Sequence, residues 1–289
     1  MPAASPVIAE MWWMPSSFMR SGHRLAKAAH AIIGPVREGS LIPRFGRARR
    51  DPGLAVLEGF HPVKHALRFG AELELLVTRD AAELERLAGQ LAPELSEQLA
   101  ATAREVPDEI FEQLAPIAPT TGVMALAPRR AVDVGALLGT HTGAPIVLLE
   151  DPRDLGNMGA CVRVAAGAAA AGVLTTGSHD PWSPDALRGA AGLHYALPVA
   201  RVGSLNELAG LERPILALDP DGQGLDPATL DPEAILAFGT ERHGLSDELL
   251  ERADARISIP MRPGVSSLNL ATSVAAVLFA WRLSGGRGA

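Results

Sequence analysis

The sequence predicts an α/β protein in which a smaller α/β unit precedes a larger domain built on a parallel sheet. Short apolar runs that suit buried strands alternate with stretches that suit helices, which is typical of a sheet with helices on both faces. This alternation starts twice, once after residue 50 and again after Pro145. We therefore expect four segments: an extension with a basic arm at 1–50, a small α/β unit at 51–128, a linker at 129–144 and the larger domain at 145–289.

Glycines and prolines delimit the elements expected in the first half of the chain. A helix at 22–33 should be followed by a loop, because Gly34, Pro35, Gly39 and Pro43 interrupt the pattern. A long helical stretch at 81–101 contains Pro93, at which we expect a break. The remaining expected elements are strands at 54–59, 73–78 and 122–127, and helices at 61–69 and 108–114.

The second half of the chain alternates more regularly. Residues 146–150 form a continuous apolar run, as a buried parallel strand would. The further expected strands lie at 172–175, 197–199, 214–218, 234–238 and 257–260. The expected helices lie at 157–171, 184–189, 205–211, 247–252 and 268–283.

Composition restricts the class of protein. With 47% hydrophobic and 20% charged residues the chain resembles an ordinary globular protein. The single cysteine, Cys161, excludes an internal disulfide framework and a cysteine-rich zinc site. No stretch approaches the roughly 18 consecutive apolar residues of a membrane span. We expect a cytoplasmic protein in a reducing compartment.

Charge is distributed unevenly along the chain. The net charge is −7, yet residues 20–50 carry eight basic residues and a single acid, Glu38. A basic segment, here called the basic arm, in an otherwise acidic chain is expected of a protein that binds a polyanion through that segment. The same pattern is equally expected of a solvated basic helix and loop without a partner. The candidate arm residues are Arg44, Arg47, Arg49 and Arg50.

Familiar cofactor and metal signatures are missing. Gly222 and Gly224 follow a predicted strand, but Pro227 stands where a third glycine would complete a dinucleotide fingerprint. There is no Walker A loop, and the eight histidines show no metal-ligand spacing. We expect no metal, and a nicotinamide-dependent oxidoreductase is a weak alternative.

Three polar turns remain as candidate functional sites, since ligands of open α/β sheets bind where strands end. Gly239 allows close backbone approach, and Glu241 follows it with no apolar partner, although it could be a solvated loop acid. Ser267 and Asn269 open the last helix and could simply cap it. Arg163, near the start of another helix, could pair with a surface acid.

Read together, these turns resemble the SpoU/TrmH family of RNA 2′-O-ribose methyltransferases, in the knotted SPOUT superfamily. The first motif matches at Asn157, Gly159 and Arg163, and the second at Gly239, Glu241 and Gly244. The third matches at Ile259, Pro260, Met261, Ser267, Leu268 and Asn269. Residues 51–128 resemble, more loosely, the family's RNA substrate-binding domain of L30e/L7Ae-like fold, at 57–59 and 121–123. Ala169 and Ala190 depart from residues common in the family, which leaves the subfamily open.

The resemblance implies a trefoil knot at the carboxyl end and a homodimer through the C-terminal domain. It implies S-adenosylmethionine as co-substrate and RNA as substrate, with 23S ribosomal RNA favoured over transfer RNA. A non-catalytic RNA-binding relative is an alternative. Whether Arg163 removes the proton from the ribose hydroxyl or only orients that hydroxyl is open, because arginine is a poor base.

The resemblance also assigns roles by position. The catalytic set is Arg163, Asn157, Glu241, Ser267 and Asn269. The cofactor-binding set is Leu218, Gly239, Glu241, Gly244, Ile259, Met261, Ser267 and Leu268. The RNA-binding candidates come from charge rather than from motif position, and they combine the arm with one further arginine: Arg44, Arg47, Arg49, Arg50 and Arg188.

Overall fold

The computed structural model of the chain describes residues 38–208, 213–240 and 244–285. A four-stranded sheet comes first, in the order β1-β4-β2-β3. Its strands are β1 (Leu54–Glu58), β2 (Leu75–Thr78), β3 (Ala103–Glu105) and β4 (Val123–Pro128). β4 is antiparallel to both β1 and β2, and β3 is parallel to β2. Its helices are α1 (Leu41–Ala48), α2 (Phe60–Arg68), α3 (Ala81–Leu91), α4 (Ser96–Thr102) and α5 (Asp108–Phe111).

Helix α1 corrects the prediction of a loop in the basic arm. Leu41, Phe45 and Ala48 are buried and follow helical spacing, so the helix has an apolar face to bury. Pro43 lies in its first turn, where a missing backbone N–H costs nothing. β3 is a strand that the sequence did not indicate, whereas the predicted break at Pro93 is confirmed by a 3-10 helix at Pro93–Leu95 between α3 and α4. The helix expected at 22–33 lies outside the described residues.

The second sheet has six strands, all parallel, in the order β10-β8-β9-β5-β6-β7. They are β5 (Ile146–Leu149), β6 (Gly172–Thr175), β7 (Val199–Arg201), β8 (Ile215–Gly224), β9 (Ile235–Phe238) and β10 (Ala255–Ser258). The helices are α6 (Val134–Gly139), α7 (Leu155–Gly167), α8 (Pro184–Gly189), α9 (Asp247–Arg252) and α10 (Leu270–Leu283). The predicted parallel sheet is confirmed.

Alternate residues of the central strand β5 belong to different hydrophobic clusters. Val147 packs in a cluster with residues of α7, α8 and α10, whereas Leu148 packs in a second cluster with residues of α6 and α9. Helices therefore cover both faces of the sheet, as the continuous apolar run of β5 indicates. Among the described helices, none is long and apolar enough to cross a membrane.

Three predicted boundaries differ from the observed ones. α6 lies inside the segment expected to be a linker, and β7 begins at Val199 rather than at residue 197. The helix expected at 205–211 is a 3-10 helix at Leu205–Leu208, and residues 209–212 are not described. One half of a capping box is present at this 3-10 helix, because the Glu207 carboxylate accepts from the Ser204 amide at 3.2 Å. The other half is missing, because the Ser204 hydroxyl accepts from the Asn206 amide rather than from that of Glu207.

Strand β8 is longer than predicted and bulges away from its neighbour. Arg256 of β10 pairs with Ala217, but the next residue, Ile257, pairs with Gln223. Residues 218–222 are thus looped out between consecutive pairs, at the carboxyl end of the sheet. The bulge places Leu218 and Asp219 beside the ends of β9 and β10, where they form one wall of a cavity.

The two sheets are joined through polar contacts that β1 and β4 make with α8 and with Tyr195 beyond it. The Glu58 carboxylate, only 3% exposed, accepts from Arg188 of α8 at 2.7 Å and from Arg49, just after α1. The Tyr195 hydroxyl donates to the Pro128 carbonyl oxygen at 3.0 Å. Glu58 therefore ties the first sheet to both α1 and the larger sheet.

Candidate active site

A cavity of about 690 Å³ opens at the carboxyl ends of β8, β9 and β10. The loop after β10 and the first turns of α10 close its other side. Seven of the eight predicted cofactor-binding residues line it, the eighth, Glu241, being outside the described residues. Those seven are Leu218, Gly239, Gly244, Ile259, Met261, Ser267 and Leu268. Residues distant in sequence therefore meet at one edge of the sheet.

Gly239 is required by the close approach of two backbone segments. A Cβ atom at this position would lie 2.0 Å from the carbonyl carbon of Gly244 and 2.3 Å from the amide nitrogen of Leu245. Thr240 and Gly244 form an antiparallel bridge, with backbone hydrogen bonds of 3.1 and 3.0 Å in the two directions. The turn therefore closes tightly beside the cavity, and Glu241 belongs to it by sequence.

Asn269 lies between the cavity-lining residues Leu268 and Leu270 and joins the start of α10 to helix α7. Its Oδ1 caps α10 by accepting from the amides of Ala271 at 2.9 Å and Thr272 at 3.3 Å. Its Nδ2 donates to Oδ1 of Asn157 at 3.0 Å. The sequence indicated that Asn269 could simply cap the helix, and the structure shows that its side-chain amide also binds Asn157. The predicted residues Asn157 and Asn269 are in direct contact although 112 positions apart.

Helix α7 reaches this position because it packs closely on α8. A Cβ atom at Gly159 would lie 2.1 Å from the carbonyl oxygen of Ala186, so the two helices meet backbone to backbone. Asp154 caps α7, accepting from the Asn157 amide at 2.6 Å. Asn157 is thereby held at the first turn of the helix, and Gly159 is the sequence signal for the close approach.

Arg163 lies farther along α7, is exposed and is not part of the cavity wall. Its guanidinium makes no hydrogen bond or ion pair with another residue of the described part of the chain. The charge of Arg163 reaches His61 and Lys64 of α2, and it contributes to lowering the pKa of both groups, for which burial is the main cause. The expectation that Arg163 pairs with a surface acid finds no support in the described residues.

The predicted RNA-binding arginines fall into two groups. Arg44 pairs with Glu74 at 3.3 Å, while Arg49 and Arg188 both pair with Glu58. Arg188 also pairs with Asp185, and Arg49 donates to the Leu114 carbonyl oxygen at 2.7 Å. Arg47 and Arg50 are exposed. Arg47 and Arg50 therefore present their charge to solvent, whereas the other three arginines pair with carboxylates of the protein.

Asp219 is a wall residue that the sequence did not indicate. Its side chain is 13% exposed, its Oδ1 accepts from the Asp221 amide at 2.8 Å, and its Oδ2 lies 3.6 Å from Arg256. It was missed because it belongs to the bulge of β8, and a bulge is set by tertiary pairing. In the described ranges no group of three metal-ligating side chains is found.

The fold and the cavity together define an α/β protein with a candidate ligand site at the carboxyl edge of a parallel sheet. Residues 144–279 match the SpoU rRNA Methylase family. This segment contains all three predicted motifs, and the match supports the predicted resemblance to the SpoU family.

Individual relatives agree with this placement. The chain is 36% identical to an uncharacterized tRNA/rRNA methyltransferase of Synechocystis sp., over 46% of this chain and 51% of that protein. It thus spans about half the length of that relative. It is 26% identical to the 23S rRNA (uridine(2479)-2′-O)-methyltransferase of Streptomyces viridochromogenes, over 80% of this chain and 83% of that one. The structure of an AdoMet-bound rRNA methyltransferase from Sinorhizobium meliloti is similar with a TM-score of 0.65 at 25% identity, covering 85% of this chain and 94% of that one.

Proposed function

We propose that the protein transfers a methyl group from S-adenosylmethionine to a ribose 2′-hydroxyl of RNA, with 23S ribosomal RNA as the first substrate to test. The observation that carries the proposal is the cavity, whose wall contains all the described residues that the family motifs assign to the cofactor. The substrate is suggested by relatives whose names specify 2′-O-methylation of ribosomal RNA. Transfer RNA is the alternative substrate.

The cavity suits a nucleoside with a charged tail. Its volume of about 690 Å³ lies within the roughly 300–1,000 Å³ typical of small-molecule sites. Leu218, Ile259 and Leu268 offer apolar contact, and the Gly239–Gly244 turn offers backbone groups at close range. Asp219 adds a carboxylate to the wall, which suits a ligand that carries positive charge.

When bound, S-adenosylmethionine supplies a methyl group on a sulfonium, and its transfer is an in-line displacement. The residues of this chain must then fix the ribose oxygen in line and assist the loss of its proton. Positioning of this kind can lower a barrier by about 7–11 kcal/mol. The Asn157–Asn269 hydrogen bond holds the starts of α7 and α10 in register, so these side chains are proposed to order the site together with Ser267 and Glu241.

Arg163 is proposed to orient the 2′-hydroxyl and to stabilise negative charge as it develops on the oxygen. The guanidinium is protonated throughout the working range of an enzyme, so direct proton abstraction by Arg163 is the less favoured of the two roles. The exposed position of Arg163, outside the cavity wall, suits contact with a large substrate rather than with the cofactor.

The rest of the predicted architecture enters the proposal as follows. Residues 51–128 are proposed to bind RNA, with Arg47 and Arg50 as the arm's phosphate contacts because both are exposed. The domain at 145–289 is proposed to contain a trefoil knot and to dimerise through α10, where Phe279 and Leu283 are 42% and 84% exposed. The cytoplasm is the proposed location, since the chain has a single cysteine, Cys161, and therefore cannot form an internal disulfide.

The direct test is methyl transfer to separated RNA pools. Purified protein is incubated with methyl-labelled S-adenosylmethionine and with ribosomal or transfer RNA, and the RNA is digested to nucleosides. Label in a 2′-O-methyl nucleoside from 23S RNA is the expected result. Label in a base would refute the ribose assignment, label only in transfer RNA would select the alternative substrate, and cofactor binding without transfer would indicate a non-catalytic relative.

A further inference from the structure

Asp219 is the one ionisable residue among the described residues that line the cavity. The others are apolar residues, glycines, prolines, serines and a threonine. The Asp219 side chain is only 13% exposed, so water screens its charge less than that of a surface carboxylate. Within the described wall, Asp219 is therefore the main source of charge that a bound ligand meets.

The bulge of β8 holds Asp219 in place. Its Oδ1 accepts from the backbone amide of Asp221 at 2.8 Å. Gly222 packs so closely on β10 that a Cβ atom there would lie 2.6 Å from the carbonyl carbon of Arg256. The Gly222 carbonyl oxygen also accepts from the Ser258 hydroxyl at 2.9 Å. The bulge is thus tied to β10, and the charge of Asp219 is positioned before a ligand binds, as preorganised electrostatic stabilisation requires.

Arg256 of β10 balances this charge only in part. Its Nη1 lies 3.6 Å from Oδ2 of Asp219, which is longer than the roughly 2.7–2.9 Å of a charge-assisted hydrogen bond. The Arg256 side chain is 48% exposed, and Arg256 does not line the cavity. Water therefore screens the guanidinium more than the carboxylate, and the cavity is bordered by the negative member of the pair.

The proposed methyl donor and its demethylated product differ in charge. S-adenosylmethionine and S-adenosylhomocysteine share the adenosine and an amino-acid tail in which an ammonium and a carboxylate cancel. The donor also carries a positively charged sulfonium, whereas the product has a neutral thioether at that position. A fixed negative charge at the cavity wall stabilises the donor more than the product, because Coulomb attraction acts on this extra charge over several ångströms.

We propose that Asp219 makes the cavity prefer S-adenosylmethionine over S-adenosylhomocysteine, through attraction between its carboxylate and the sulfonium. This inference rests on the proposed function and deepens it, because it names the residue that separates the methyl donor from the product. The product lacks the charge that Asp219 attracts, so it is held less tightly than the donor and a fresh donor displaces it.

The test is calorimetric titration of both ligands, S-adenosylmethionine and S-adenosylhomocysteine, into the wild type and Asp219→Asn. This substitution removes the charge and keeps an oxygen that can accept from the Asp221 amide. The affinity for the donor should fall about tenfold and that for the product should change little, so the ratio of the two affinities falls about tenfold. Asp221→Asn is the matched control, because Asp221 is an exposed acid of the same bulge that does not line the cavity, and both affinities should stay unchanged.

Arg256→Gln is a second variant that changes the charge without altering Asp219. Removing the guanidinium leaves the carboxylate without its cation, so the ratio of donor to product affinity should rise. Thermal unfolding verifies the fold of each variant. If Asp219→Asn does not fold, Arg256→Gln carries the test, since its side chain is half-exposed. A wild-type ratio in whichever of the two variants is folded overturns the proposal.

The outcomes separate this inference from the proposed function. An equal fall of both affinities in Asp219→Asn would mean that Asp219 binds a group that the two ligands share, which overturns the inference and leaves the enzyme intact. A lowered ratio in a protein that transfers no methyl group to RNA would retain the role of Asp219 and refute the enzyme. A wild type that binds neither ligand would refute both.

Discussion

Asn269 performs two tasks that substitution can separate. Its Oδ1 caps α10, and its Nδ2 donates to Asn157 at 3.0 Å. Asn269→Ala removes both, and loss of an N-cap costs about 1 kcal/mol of stability. Asn269→Asp keeps a capping oxygen of equal quality and adds a charge that the helix N-terminus favours by about 0.3–1 kcal/mol. It loses the donor, however, and turns an acceptor toward the Oδ1 of Asn157.

We therefore expect Asn269→Asp to be as stable as the wild type and to have strongly reduced methyl transfer, whereas Asn269→Ala should lose both stability and transfer. Stability is measured by urea unfolding and transfer by incorporation of labelled methyl groups into RNA. Asp133→Ala is the matched control, because Asp133 caps α6 by accepting from the Ala136 amide at 2.9 Å, and no residue of α6 lines the cavity, whereas Leu270 and Ser273 of α10 do.

The control should lose about 1 kcal/mol of stability and retain transfer, which shows that a lost cap does not by itself abolish activity. Methyl transfer by Asn269→Asp at the wild-type rate would refute the reasoning, because the hydrogen bond between Asn269 and Asn157 would then not be needed for activity. Instability of Asn269→Asp equal to that of the alanine variant would refute the assignment of the cap.

Three further predictions follow from single residues. Arg163→Lys should lower transfer by about 100-fold equally at every pH if Arg163 stabilises charge on the oxygen, and a new titration near neutrality in a pH profile would instead indicate a base. Burial lowers the pKa of His194 from 6.5 to about 4. Between pH 6.5 and 4 the unfolded chain therefore binds one more proton at this residue than the folded chain does. The free energy of unfolding should fall by about 3 kcal/mol as the pH decreases through this window. Urea unfolding of His194→Gln should show a smaller loss over the same window, and an identical loss would contradict the assignment. Glu58→Gln should lower the free energy of unfolding by on the order of 3 kcal/mol, because it leaves a partly buried Arg49 without its carboxylate, and a change below about 1 kcal/mol in urea unfolding would contradict this.

The sheet could be predicted because its determinants are local. Strands β5, β6 and β9 are short apolar runs, and a helix follows each of them, so this alternation indicates a parallel arrangement. Helix α1 was missed because Gly39 and Pro43 were read as interruptions. In the structure Pro43 falls in the first turn, and the burial of Leu41 and Phe45 on the first sheet's core decides the conformation.

Some residues of the candidate site could likewise be predicted from the sequence, and others could not. Gly239, Ser267 and Asn269 were found because they belong to sequence motifs of a family. Asp219 enters the cavity through a bulge that depends on the pairing of β8 with β10, and such a register cannot be read from one strand. The Arg188–Glu58 pair joins residues 130 positions apart, so it has no local signal in the sequence.

The measurement that addresses the central claim most directly is calorimetric titration of S-adenosylmethionine into wild type, Gly239→Ala and Gly224→Ala. At Gly239 an added methyl group meets the Gly244 backbone at 2.0 Å, whereas at Gly224 nothing lies within 4 Å. Displacing a packed backbone costs about 1–3 kcal/mol, so affinity should fall at least about tenfold in Gly239→Ala and stay unchanged in Gly224→Ala. Absence of binding to the wild type, or full affinity in Gly239→Ala, would contradict the assignment of the cavity to the methyl donor.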